Sequence, residues 1–128
     1  MNPTIALSST SLTGTQVRNR TGETLGDIKD FVLDLETGRV RYAVLDFGGF
    51  LGIGDKYFAV PLEAFRTDTQ SEQLVLDVDK ARLETAPGFD KNDWPSTAND
   101  TFDESVYTFY GQRDAFQRSR MTREAVLN

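Results

Sequence analysis

The sequence predicts an all-β domain, a small barrel or sandwich, with short helical segments and a helical C-terminal extension. Three observations carry this reading. Between residues 14 and 95, five or more short apolar runs are set off by turn residues at about 8–12-residue intervals. The run Arg39–Phe47 is apolar on both faces, as a strand covered on both sides must be. Beyond residue 95 the alternation stops, and an aromatic cluster leads into an amphipathic stretch.

The elements follow in order. Residues 1–13 are rich in Ser and Thr and read as a flexible lead-in. Thr15–Arg18 is a short strand, and Asn19–Gly22 a turn in which Gly22 takes positive φ. Glu23–Asp34 is a second strand whose phase breaks at Gly26, the mark of a bulge or sharp bend. A helix is its rival, because Leu25, Ile28 and Val32 also fit a helical face; the flanking turns favour the strand. Leu35–Gly38 closes a hairpin onto Arg39–Phe47, with Val40, Tyr42 and Val44 on one face and Ala43, Leu45 and Phe47 on the other. Tyr57–Val60 is a strand ended by Pro61, and Leu62–Phe65 a single helical turn. Thr67–Gln73 reads as a polar connection and Leu74–Val78 as an alternating strand. Asp79 opens a short helix to Ala86, which Pro87-Gly88 stops. In the extension, a helix is expected over Asp103–Tyr110 and a second amphipathic stretch over Arg113–Glu124, anchored by Phe116. The domain boundaries are thus 1–13, 14–95 and 96–128.

Composition narrows the function. The chain has 128 residues, 14 Lys+Arg against 20 Asp+Glu, no Cys and no His. Thiolate and imidazole chemistry, disulfides and Cys/His metal sites are excluded. The net charge of −6 argues against broad nucleic-acid binding. No basic, apolar signal segment and no membrane-length apolar run is present, so a cytoplasmic protein is expected.

Several constellations invite a site. Gly48–Gly54 resembles a phosphate loop, but no Gly-Lys-Ser/Thr and no helix follow it. Phe50, Leu51 and Ile53 on that loop are either tucked under the sheet or offered to a partner. Asp27, Asp30, Asp34, Asp77 and Asp79 lack metal-loop spacing: counted from Asp77, an EF-hand's sixth and twelfth positions are Arg82 and Gly88. They read as solvated acids beside turns. Tyr107 and Tyr110 read as packing residues, and Trp94 as the cap of an apolar patch. Arg113, Arg118, Arg120 and Arg123 could meet RNA or another anionic partner, although Asp114 and Glu124 lie among them. No catalytic, cofactor or metal residues are assigned.

Four separated motifs resemble the PRC-barrel domain. They are Val17-Arg18-Asn19 with Leu25–Asp30, Asp34–Val40 with Tyr42–Leu45, Gly48–Lys56 with Ala59-Val60-Pro61, and Pro87–Lys91 with Trp94-Pro95. The resemblance implies a small, strongly bent all-β barrel that docks onto a larger assembly and carries no shared catalytic residues. It also suggests an RNA- or ribosome-associated factor, by analogy with the PRC-barrel domain of a ribosome-maturation factor. The expectation is a non-enzymatic interaction module, a homodimer or higher homo-oligomer, with Phe50, Leu51, Ile53, Trp94, Tyr107, Phe109 and Tyr110 at its interface. A core of roughly 80 residues is small enough to gain from dimerisation.

Overall fold

Seven strands form one sheet in the computed structural model, which describes residues 8–47, 56–68, 73–95 and 99–127. They are β1 (Gln16–Arg18), β2 (Thr24–Asp34), β3 (Arg39–Asp46), β4 (Lys56–Val60), β5 (Phe65–Asp68), β6 (Gln73–Leu76) and β7 (Gly88–Asp90). The helices are α1 (Ser9–Leu12), α2 (Lys80–Leu83), α3 (Asp100–Phe109) and α4 (Arg113–Leu127), with a 3-10 turn at Leu62–Ala64. Strand order is β5-β6-β1-β2-β3-β4-β7. Each neighbouring pair is antiparallel except β1 and β6, which run parallel with Val17 beside Leu74.

The sheet is rolled. Leu74 and Leu76 of β6 share one buried cluster with Phe58 and Val60 of β4. In a flat sheet those strands would stand about 19 Å apart, four strand spacings. Curling brings them together around Val17, Leu25, Ile28 and Leu45, and Leu83 of α2 plugs the cluster. Gly26 makes the bend in β2 possible. Its φ is +135°, and a Cβ there would lie 2.2 Å from the carbonyl oxygen of Asp46. The register of β2 on β3 slips near Lys29 and again near Arg41, adding bulges that increase the coiling.

The strand reading of β2 therefore holds, as does the burial of β3 on both faces. Ala43, Leu45 and Phe47 enter the inner cluster, while Tyr42 and Val44 enter a second one on the outside. Strand β4 alternates in the same way, with Phe58 and Val60 inward and Tyr57 and Ala59 outward. Val106, Tyr107, Ala115 and Phe116 of α3 and α4 cover that outer face.

Two expectations are corrected. The chain is not all-β: α3 and α4 form a layer on the sheet, so it is a mixed α/β fold. The barrel does not close: among the described residues no ladder joins β5 to β7. Phe65–Asp68, expected as the end of a helical turn and the start of the polar connection Thr67–Gln73, is a strand because it pairs with β6. Gly88–Asp90 is a strand because it pairs with β4. The lead-in holds one helical turn, capped by the Ser8 hydroxyl accepting from the Ser11 N–H at 3.1 Å. Asp79 precedes α2 but makes no side-chain cap, and that helix ends at Leu83.

Candidate functional site

Two local structures have the order and chemistry of a site: a charged clamp beneath α3 and an aromatic platform at the β7 edge. The clamp starts from a register slip. Val32 lies opposite Tyr42 and Leu33 opposite Val40, so Arg41 is the extra residue of a bulge. Strict alternation would send Arg41 inward with Ala43 and Leu45. The bulge instead places it beneath α3. There its Nε–H donates to Asp103 Oδ2 at 2.6 Å and its Nη2–H to Asp100 Oδ1 at 3.0 Å. Asn99 caps α3 by accepting from the Phe102 N–H, which fixes both acids in the first turn.

Side-chain exposure is 10% for Arg41 and 9% for Asp103, so the pair is largely out of water. Burial pushes the Asp103 carboxyl above its usual range, with the hydrogen bond from Arg41 pulling it back. Burial also works against the Arg41 guanidinium, but Asp103 outweighs it and holds the group above its ordinary value. Both partners bear a desolvation cost, which their mutual hydrogen bond and attraction offset. The Tyr107 hydroxyl donates to the Arg41 carbonyl at 2.7 Å, and burial pushes this phenol well above its ordinary pKa. Burial likewise pushes Tyr42 up to about 12. A cleft of about 170 Å³ opens beside the clamp, with Asp34, Arg39, Ser119 and Arg120 on its walls.

The platform is aromatic. Trp94 packs tilted against Phe89 with ring centroids 4.9 Å apart and edge-to-face against Tyr57 at 5.8 Å, and its indole N–H donates to the Lys91 carbonyl at 3.0 Å. The Lys91 ammonium lies 5.1 Å from the Tyr57 ring and 3.8 Å from Asp46. The indole is thus held on three sides and remains 41% exposed. Leu33 and Leu35 at the β2–β3 hairpin are also exposed, at 51% and 89%. Asp34 fixes that turn by accepting from the Glu36 and Thr37 N–H groups.

Of the predicted interface residues that are described, Trp94 is on the surface, while Tyr107 is 3% exposed, its ring packed within its own chain. Phe109 and Tyr110 pack against the inner cluster, with the Arg82 guanidinium 4.7 Å from the Phe109 ring. Phe50, Leu51 and Ile53 lie outside the described residues. Arg113, Arg118 and Arg120 are exposed on α4. At about 100° per residue, Arg113 and Arg120 share one face about 20° apart, two turns from each other, whereas Arg118 stands roughly 140° round the helix from Arg113. Arg120 lies 4.0 Å from Asp100 and faces the Phe116 ring at 5.9 Å. Arg123 is on the same helix, with its side chain outside the described set. Of the acids, Asp27 and Asp30 are exposed and Asp77 pairs with Arg20 at 3.4 Å.

The Tyr110 hydroxyl is buried and has no hydrogen-bond partner among the described residues. Such a group bears its desolvation cost uncompensated. Tyr110→Phe is therefore expected to stabilise the fold by about 1 kcal/mol, read as a higher denaturant midpoint at unchanged slope. A lower midpoint would mean that the hydroxyl has a partner.

Sequence reasoning missed the clamp, although one signal was present. Arg41 is a charge within a strand that is apolar on both faces, and only a bulge or a buried partner reconciles the two. The fold and the motifs at Gly26, Gly38 and Ala59-Val60-Pro61 meet in one further finding: the PRC-barrel domain matches residues 5–83. The chain belongs to the PRC-barrel family. The match covers β1 to β6 and α2, and leaves β7, α3 and α4 outside the PRC-barrel domain. No curated protein matches the chain. No helix among the described residues is long and apolar enough to cross a membrane.

Proposed function

We propose that this PRC-barrel protein is a non-enzymatic docking module that self-associates and presents Trp94 to a protein partner. The observation that carries the reading is the half-exposed indole, locked by Phe89, Tyr57 and the Lys91 carbonyl. A rigid aromatic anchor with little rotamer entropy left to lose is the kind of side chain on which interface energy concentrates. It stands beside β7, an edge strand whose outer side has no ladder partner among the described residues. The buried phenols of Tyr42, Tyr107 and Tyr110 are all pushed up by burial, which suits packing rather than base or nucleophile chemistry. The acids best placed for chemistry, Asp100 and Asp103, are held by Arg41. The RNA-linked alternative draws less support, because Arg118 points away from Arg113 and Arg120, and Arg120 is engaged within the chain.

The test is affinity capture from the native host, with and without nuclease treatment of the lysate, comparing the wild-type bait with Trp94→Ala. A protein retained by the wild type is expected to bind the variant about 30-fold more weakly, the loss of one hot-spot residue. Equal capture by both baits would sink the role of Trp94. Capture that disappears with nuclease would favour the RNA-linked reading.

A further inference from the structure

The open edge of the sheet at β7 faces a groove. It holds about 770 Å³ and runs between the start of β7 and α3. Pro87 and Gly88 form one wall, and Phe102, Ser105 and Phe109 the other. Phe102 lies 6.3 Å from Phe89, which lies 4.9 Å from Trp94, so this wall adjoins the aromatic platform.

The β7 wall carries hydrogen-bonding groups that the sheet does not use. The Pro87 carbonyl accepts from the Ala59 N–H at 3.3 Å, which makes these two residues a bonded pair of the antiparallel ladder. Alternation then turns the backbone groups of Phe89 toward β4, and the Gly88 N–H and C=O toward the open edge. There no ladder partner meets them among the described residues. The Asp90 N–H follows on the same side, while the Asp90 carbonyl accepts from the Asp93 N–H at 3.0 Å. An extended chain laid along this edge takes up these groups as an added strand. A helix has already spent its backbone groups on itself and cannot.

The groove also selects by charge. Among the described residues Glu104 is the charged group on its walls. Its side chain is half-buried and has no ion pair or hydrogen bond among the described residues. A carboxylate held beside Phe102 and Phe109, partly out of water, favours a cationic neighbour. The matching occupant therefore alternates apolar side chains toward α3 and carries a Lys or Arg that reaches Glu104.

We propose that the β7 edge accepts an extended peptide segment of a partner protein as an added strand, its alternate apolar side chains lodged against α3 and a Lys or Arg on Glu104. The inference rests on the docking reading above and gives the partner its chemistry: a basic and apolar strand that adjoins Trp94.

The test selects random octapeptides, displayed on phage, against the immobilised full-length chain. The selected sequences are expected to alternate apolar residues and to carry a Lys or Arg. As synthetic peptides they should bind Glu104→Lys about tenfold more weakly than the wild type. Ser105→Trp fills the groove from an exposed helix position and should abolish binding without lowering the melting temperature appreciably. Hydrogen exchange at the Gly88 amide, followed by NMR, should slow about tenfold or more with peptide bound. Unchanged exchange at Gly88, or selection of no peptide at all, would overturn strand addition. If Glu104→Lys instead dissolved a self-associated species, the edge would belong to a second copy and the partner strand would be ruled out. Peptides lost with Trp94→Ala but indifferent to Glu104→Lys and Ser105→Trp would remove this inference and leave the docking reading in place. Peptides that need the groove but not Trp94 would do the reverse.

Discussion

Arg41→Ala is expected to cost about 3–5 kcal/mol of folding stability, because it leaves the Asp103 carboxylate uncompensated beneath α3. The side chain removed has two charge-assisted hydrogen bonds, to Asp103 at 2.6 Å and Asp100 at 3.0 Å. The larger part of the loss is the penalty on the abandoned acid rather than the worth of the pair. That distinction can be measured. Asp103→Asn keeps an acceptor for the Arg41 Nε–H and removes the buried charge, so its cost should be clearly smaller. Chemical denaturation of both variants decides the matter. Equal losses would mean that hydrogen bonding, not desolvation, governs the clamp. Arg41→Lys should fall between them, since an ammonium cannot fork to two carboxylates as a guanidinium does.

Gly26→Ala is the second large effect. The backbone at Gly26 has φ of +135°, and the added methyl would sit 2.2 Å from the Asp46 carbonyl oxygen. Backbone strain of about 1–3 kcal/mol and a steric cost of similar size combine there, for roughly 3–5 kcal/mol in all. A fall in Tm of roughly 10–20 °C follows for a domain of this size. Gly38→Ala is the control, because Gly38 also has positive φ, +75°, but nothing lies within 4 Å of its would-be Cβ. It should lose only about 1 kcal/mol. If the two variants melted together, the close approach of β2 to Asp46 would not be what demands glycine.

The contrast between these sites also marks what the residues made legible. Gly26 was readable because it interrupts an apolar pattern, and pattern breaks in strands mean bends. The two faces of β3 and the hairpin at Gly38 were readable for the same reason, since alternation and turn chemistry act locally. β5 and β7 were not. Phe65–Asp68 and Gly88–Asp90 have no strand signature of their own, and become strands only because β6 and β4 offer them hydrogen bonds. The start of α3 was placed late because Asp100 and Thr101 look like loop residues until Asn99 is recognised as a cap. The clamp depended on a one-residue slip between two strands, and no local pattern encodes which residue of a strand will be the extra one. The exposed Leu33 and Leu35 fell on a turn whose residues were read for backbone geometry rather than for what they present. Trp94 was legible as an aromatic on a patch, but its tether to the Lys91 carbonyl was not.

The parallel pairing of β1 with β6 sets an order in time. Val17 and Leu74 are neighbours in the sheet. At about 5–20 residues per second, Leu74 is made several seconds after Val17. Until then β1 can rest only on β2, and the rolled cluster lacks one wall. The outer face waits longer still, since Tyr42, Val44 and Tyr57 remain uncovered until Asp100–Phe109 has been synthesised.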